Sequence, residues 1–221
     1  MILAAGRGER MRPLTDTTPK PLLKANNKAL IEYTVEALVK SGITDIVINL
    51  AYLGEQIEAY LGNGTRYQAN IQYTHEGKTG LETAGGIKNA LPLLGKEPFL
   101  VINADIYCDF PLQSLINKEI NLAHLVLVKN PEHNPAGDFA IADSHHLNSI
   151  DTVKYTFSGI GLYRPELFAN LKAGKSALAP LLKTAMTNQQ ITGELYEGFW
   201  MDIGTVDRLA TLETAIVNGT A

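Results

Sequence analysis

Between Leu3 and Pro21 the chain places two glycines, four cationic side chains and three prolines within nineteen residues. Gly6 and Gly8 allow the backbone to approach a ligand closely, and their N–H groups can then aim at phosphate oxygens. Arg10, and Lys20 between Pro19 and Pro21, add charges able to neutralise a triphosphate. Residues 1–24 hold five basic and two acidic side chains, a balance of +3; the whole chain carries −4, so the other 197 residues carry −7. A compact basic loop in an acidic protein suits a small polyanion; the alternative is a solvated basic loop, which would not need the glycines. Two other phosphate motifs do not fit. The dinucleotide fingerprint fails because Met11 stands where its third glycine belongs. Gly174-Lys175-Ser176 lacks the first glycine of a P-loop, Ala169 occupying that position, and reads as an exposed turn.

Two aspartates are candidate metal ligands. Asp105 follows the apolar run Phe99-Leu100-Val101-Ile102, where the end of a parallel strand meets a ligand crevice. Asp202 lies in a short polar break between Met201 and Gly204. A hard divalent cation that bridges phosphate oxygens takes one or two carboxylates plus substrate oxygens and water. The two aspartates are 97 residues apart and can serve one ion only if the fold joins those strand ends; otherwise each caps a turn. The five histidines show no ligand spacing, and Cys108 has no activating base nearby in sequence. Covalent catalysis is not indicated.

These residues need a frame that delivers them to one place. Met1–Ala4 reads as a strand leading into the loop. Leu30, Tyr33, Ala37, Leu38 and Ser41 recur at helical spacing before Gly42. Residues 43–50 read as a buried strand, 53–61 as a short helix, 71–74 as a strand, 83–94 as a helix and 99–102 as a core strand. This alternation is that of a parallel sheet flanked by helices. Beyond it, 123–128 and 157–163 read as strands, with a short strand near 138–142. Helices are expected at 165–171, 178–186 and 205–217, the last with Val206, Leu209, Leu212 and Ile216 on one face. The expectation is one α/β domain over 1–221, with a mixed sheet and an inserted lobe near 130–200.

Composition narrows the classes. The chain has 221 residues, 45% hydrophobic and 19% charged, enough for a well-buried core. No apolar run approaches the ~20 residues of a membrane span, and Ile2-Leu3-Ala4-Ala5 precedes its arginines, the reverse of a secretory signal. A single cysteine excludes a disulfide framework and is consistent with a cytoplasmic setting. The net charge of −4 argues against a nucleic-acid binder.

Gly6-x-Gly8-x-Arg10-Met11-x-Pro13-Leu14-Thr15 followed by Pro19-Lys20-Pro21 resembles the signature of the sugar-phosphate nucleotidyltransferases. The resemblance extends through residues 80–86, Asn103-Ala104-Asp105 and Trp200-Met201-Asp202-Ile203-Gly204-Thr205, and so covers nearly the whole chain. It implies a Rossmann-like three-layer α/β sandwich with a mixed, mostly parallel sheet. It also implies UTP and a sugar 1-phosphate as substrates, and Mg²⁺ held by Asp105 and Asp202. Arg10 and Lys20 would be catalytic, on the phosphates. Leu3, Ala4, Ala5, Gly6, Gly8, Glu9, Glu76, Glu82 and Thr83 would hold the nucleotide, while Asn103, Asp138, Thr156 and Ser158 would face the sugar phosphate.

Within the family, Glu82-Thr83-x-Gly85-Gly86, residues 123–128, Gly137-Asp138-Phe139 and Phe157-Ser158-Gly159-Ile160 resemble one branch. That branch places a uridylyl group on a lactyl-bearing amino-sugar 1-phosphate in cell-wall recycling. Other branches commonly carry Gly at the position of Glu82 and at that of Ala104. Transfer of a thymidylyl or guanylyl group to another sugar, and a catalytically silent nucleotide-sugar-binding regulator, are the alternatives. A monomer or small homo-oligomer is expected, with no hexapeptide-repeat domain after residue 221.

Overall fold

A computed structural model describes residues 1–77, 79–142 and 144–221. Its internal contacts divide the chain into two units: Met1–Gly80 with Ile102–Ser114 and Phe199–Ala221, and Leu81–Val101 with Leu115–Gly198.

The chain opens with strand β1 (Ile2–Leu3), a small antiparallel hairpin of β2 (Lys24–Ala25) and β3 (Lys28–Ala29), and helix α1 (Leu30–Lys40). Helix α1 buries Leu30, Ile31, Thr34, Val35 and Leu38 at three- and four-residue spacing. At its start the Glu32 carboxylate accepts the Ala29 N–H (2.9 Å), and Gly42, with φ of 85°, lies just past its end. Then follow β4 (Asp45–Leu50), α2 (Gly54–Leu61), β5 (Asn70–His75), α3 (Glu82–Leu94), β6 (Phe99–Asn103) and β7 (Ile106–Cys108). The remainder comprises β8 (Ala123–Val128), β9 (Ala140–Ile141), β10 (Leu147–Asn148), β11 (Thr156–Tyr163), α4 (Leu178–Thr187), β12 (Ile191–Tyr196), β13 (Trp200–Asp202) and α5 (Val206–Val217).

The main sheet is mixed and mostly parallel, seven strands in the order β12-β8-β11-β6-β1-β4-β5. In the first unit β1 lies between β4 and β6, parallel to both, and β4 is parallel to β5. In the second, β8 is antiparallel to β11 and parallel to β12. Mainly apolar runs form the strands buried on both faces: every residue of β8 is buried, His124 included, as is Ile46–Leu50 of β4, Asn49 included. Packing in the second unit centres on Phe99, Tyr163 and Phe168, whose ring centroids lie 5.9–6.4 Å apart. The first unit has a separate cluster of Met11, Leu23, Ala25, Leu30, Ile203 and Leu212.

Several expectations are refined. The helix anticipated over 165–171 is a short 3₁₀ turn, Pro165–Phe168. On α5, Leu212 is fully buried and Leu209 and Ile216 pack beside it, but Val206 is exposed at the first turn. Strand β12 had no clear signal because Thr192, Gly193 and Glu194 interrupt its apolar residues. Strands β7 and β13, three residues each, are too short for a periodicity to show.

Candidate active site

The glycine loop starts where β1 ends. The Ala4 N–H donates to Asn49 Oδ1 (2.9 Å), and Asn49 Nδ2 donates to Glu76 Oε1 (2.6 Å). Both side chains are buried, so a carboxamide on β4 ties the exit of β1 to a carboxylate just past β5. A Cβ added at Gly80 would stand 3.7 Å from Glu76 Oε2 and 4.0 Å from the Ala5 carbonyl, so Ala5, Glu76 and Gly80 meet. Asn49 is a site residue that the sequence reading missed; its signal was a lone polar residue inside Ile46–Leu50.

Gly6 borders open space, since a Cβ there would meet nothing within 4 Å. Gly8 is different. Its φ is 69°, and a Cβ would press on Lys20 Cβ at 3.0 Å and Thr15 Cγ2 at 3.1 Å. The Thr15 hydroxyl (2.9 Å) and the Met11 N–H (3.0 Å) both donate to the Gly8 carbonyl, closing a tight turn over Glu9–Met11. Met11 anchors that turn in the apolar cluster and leaves Arg10 and Glu9 at the surface. Glu9 lies 3.7 Å from Arg7, whose guanidinium stacks 4.9 Å from the Tyr52 ring centroid. A cavity of about 390 Å³ opens nearby at the ends of β4 and β5, lined by Leu50, Tyr52, Glu55 and His75 among others.

Lys20 is only 7% exposed and donates from Nζ to Asp105 Oδ2 at 2.5 Å. Asp105 lies just past Asn103, the last residue of β6, where the Ala104 N–H bonds the Leu3 carbonyl (3.0 Å). The Asp105 carbonyl in turn accepts the Ile203 N–H (2.7 Å), and the antiparallel β7–β13 pair sets Asp202 opposite Ile106. Asp105 thus directly precedes the rung that Asp202 shares with Ile106, so the fold does bring the backbones of the two strand ends together. The Asp202 carboxylate accepts from Arg208 of α5, whose backbone N–H donates to the capping Thr205 hydroxyl (3.3 Å). Arg208 was also missed; its only signal was its position three residues past a helix cap.

Two carboxylates suit a hard cation that completes its shell with phosphate oxygens and water. Among the described residues no group of three or more His, Cys, Asp or Glu gathers, so no closed protein cage competes with that arrangement. Burial pushes the Cys108 thiol up to about 12, which keeps it protonated and out of nucleophilic chemistry.

The second unit holds the other candidates. Glu82 opens α3 with φ of 59°, the left-handed region, and Thr83 follows it. Gly174-Lys175-Ser176 forms no anion loop but a strut on α3: the Ser176 N–H donates to the Leu81 carbonyl (3.0 Å) and the Gly85 N–H to the Ser176 carbonyl (3.1 Å). Asp138 Oδ2 accepts from the Phe157 N–H (2.8 Å) and from Asn134 (3.3 Å). The Thr156 hydroxyl, buried, donates to Asn130 (3.0 Å) and accepts from Asn134 (3.1 Å). Ser158, also buried, donates to the Val126 carbonyl (2.7 Å) and accepts the Ile160 N–H (3.1 Å), spanning the irregularity in the β11–β8 register. The structure therefore gathers Asp138 and Thr156 into one network and sets Ser158 inside the sheet.

The chain is 51% identical over 95% of its length to N-acetylmuramate alpha-1-phosphate uridylyltransferase of Neisseria meningitidis serogroup B, covering 94% of that protein. It is 32% identical to the protein of the same name from Caulobacter vibrioides, over 92% of the chain and 90% of that protein. Mannose-1-phosphate guanyltransferase of Hypocrea jecorina is 34% identical over 92% of the chain, which spans only 60% of that longer protein. Among solved structures, HddC from Yersinia pseudotuberculosis, complexed with GMP-PN, superposes with a TM-score of 0.79 at 20% identity, covering 97% of each chain. That likeness speaks for the fold alone. The Nucleotidyl transferase family model runs from residue 1 to residue 219, taking in the glycine loop, the β7–β13 ladder and both units, and the chain belongs to that family.

Proposed function

We propose that the protein transfers the uridylyl group of UTP to N-acetylmuramic acid α-1-phosphate, giving UDP-N-acetylmuramic acid and pyrophosphate, within peptidoglycan recycling in the cytoplasm. The whole of 1–221 would serve as one catalytic domain. The observation that carries the chemistry is that the backbones of Asp105 and Asp202 meet at one end of the β7–β13 ladder, with Lys20 against the first. The extended identity to the Neisseria meningitidis protein supports the choice of base and sugar.

In the reaction a phosphate oxygen of the sugar 1-phosphate attacks the α-phosphorus of UTP. The new O–P bond forms as the bond from the α-phosphorus to the bridging oxygen breaks, and that electron pair leaves with pyrophosphate. The nucleophile is already anionic, so the protein needs no general base; its work is positioning and charge neutralisation. Mg²⁺, held by Asp105 and Asp202, would neutralise phosphate oxygens. Gly6 offers its backbone N–H beside open space, Gly8 gives the turn its left-handed backbone, and Arg10 and Lys20 bring positive charge to the phosphates. Leu3, Ala4, Ala5, Glu76, Glu82 and Thr83 are assigned to the nucleoside side. Glu9 would steady Arg7 at the rim of the loop.

Asn103, Asp138, Thr156 and Ser158 are assigned to the sugar side, the last three through the backbone they hold in shape. Lys154 is the sole lysine or arginine in residues 133–158. Space for the lactyl group, rather than a strong carboxylate clamp, is therefore the expected basis of sugar choice. Pyrophosphate release with magnesium, each of the four nucleoside triphosphates and a panel of sugar 1-phosphates tests the reading. UTP with the muramate substrate should give the highest kcat/KM, with N-acetylglucosamine 1-phosphate lower by ~10–200-fold. Equal or better turnover of glucose or mannose 1-phosphate would overturn the muramate assignment, and binding without turnover would favour a silent regulator.

A further inference from the structure

Each of the two candidate metal ligands, Asp105 and Asp202, faces a cation of its own. Lys20 is matched to Asp105. Arg208 is ion-paired to Asp202, the carboxylate assigned to the metal, with both side chains about four-fifths withdrawn from water. Arg10 comes to the same turn. A Cβ on Gly204 would overlap Arg208 Nη2 and lie 3.0 Å from Arg10 Nη2, so both guanidinium groups crowd over one glycine backbone. Two like charges that close repel one another, and a polyanion would relieve that repulsion.

We propose that Arg208 is a displaceable counter-ion: it neutralises Asp202 until a divalent cation takes that carboxylate, and the released guanidinium then joins Arg10 on the phosphates of the leaving pyrophosphate. The inference rests on the metal and phosphate roles proposed above. A charged pair this withdrawn from water is costly to leave half-made, so removing the metal should not leave Asp202 bare. The planar guanidinium suits the second role, because it can grip phosphate oxygens through two parallel hydrogen bonds. Arg208 also has the local means to change partner without losing its place. Its backbone is fixed at the first turn of α5 by the Thr205 cap, so only the side chain need move.

The two jobs predict effects of opposite sign for Arg208→Gln, which a merely structural residue would not produce. Mn²⁺ binding to the nucleotide-free protein, measured by electron paramagnetic resonance or calorimetry, should tighten by about 5- to 10-fold, because a charge-assisted competitor for Asp202 is gone. Pyrophosphate binding at saturating Mn²⁺ should weaken by a similar factor. Adding Asp202→Asn should cancel the gain in Mn²⁺ affinity. Unchanged or weaker Mn²⁺ binding in Arg208→Gln would overturn the proposal, as would unchanged pyrophosphate binding. If Arg208→Gln unfolds, Arg208→Lys decides: it keeps the competing charge but not the fork, so Mn²⁺ affinity should stay near the parent while pyrophosphate affinity falls, and loss of neither or both overturns the inference. A parent protein that turns over no UTP while these shifts appear would sink the uridylyl reading and leave this one standing.

Discussion

Glu82 occupies a backbone conformation that L-residues avoid, with φ of 59° at the head of α3. The cost of such a residue is of order 1–3 kcal/mol, and glycine would be free of it. Glu82→Gly should therefore keep or slightly raise the urea midpoint, whereas Glu82→Val, β-branched and unable to settle there, should lower stability by about 1–2 kcal/mol. A Val variant as stable as the parent would show that the φ is not a constraint. Arg10 makes the opposite case. It is exposed beside a buried, anchoring Met11, so Arg10→Ala should leave thermal stability almost unchanged while lowering turnover ~10²-fold or more, as removal of other preorganised charges does. Near-normal turnover from a poorly folded Arg10→Ala would mark the residue as structural.

At the scale of elements, the strut formed by residues 174–176 fixes the first turns of α3. Gly85 is the contact: a Cβ there would run into the Gly174 carbonyl and come within 3.1 Å of Ser176 N and Leu81 Cβ. The obstruction is backbone, which cannot rotate away. Gly85→Ala should cost about 1–3 kcal/mol through overpacking, despite alanine's higher helix propensity. The urea midpoint measures it, and a neutral or stabilising result would mean that the 174–176 segment is free to retreat. The β7–β13 ladder is the other element that matters to function. Two three-residue strands, seated on the Met11–Ile203–Leu212 cluster, bring the backbones of Asp105 and Asp202 together from two distant parts of the chain.

For the molecule as a whole, acid sensitivity has an identifiable contributor in the second unit. The His124 ring nitrogen (2.9 Å) and then Lys118 (3.1 Å) hydrogen-bond Glu194 and push its carboxyl down to about 2, against an opposing effect of burial. A carboxyl whose folded value lies below its ordinary 4.5 stabilises the protein fully above that pH. The contribution is lost as pH falls from 4.5 towards 2, where the folded form takes up its proton too. Glu194→Gln removes the titrating group, so its melting temperature should fall less steeply than that of the parent over that interval. Parallel acid limbs for the two proteins would show that Glu194 does not contribute. The uneven charge along the chain acts at this scale as well: a loop at +3 in a chain at −4 draws a polyanion to one place while the remainder repels it.

The amino-acid sequence alone determined the chemistry of the loop and the class of the sheet. Local residues suffice for both: Gly6, Gly8, Arg10 and Lys20 lie within one short segment, and the mainly apolar runs 46–50, 99–102 and 123–128 each fill a strand by themselves. The pairing of Asp105 with Asp202 was legible only as a condition to be met, because no local pattern spans 97 residues. Strands β7 and β13 meet it through hydrogen bonds across the chain. The partners of Asn49, Gly204 and Arg208 were not legible, for the same reason. What each does depends on which atoms stand opposite: a buried carboxylate for Asn49, two guanidinium groups for Gly204, an aspartate for Arg208. Side-chain type and spacing set what the chain can bind, and only the tertiary structure decided which charges face one another, since electrostatic pairing falls off with distance in space and not along the chain.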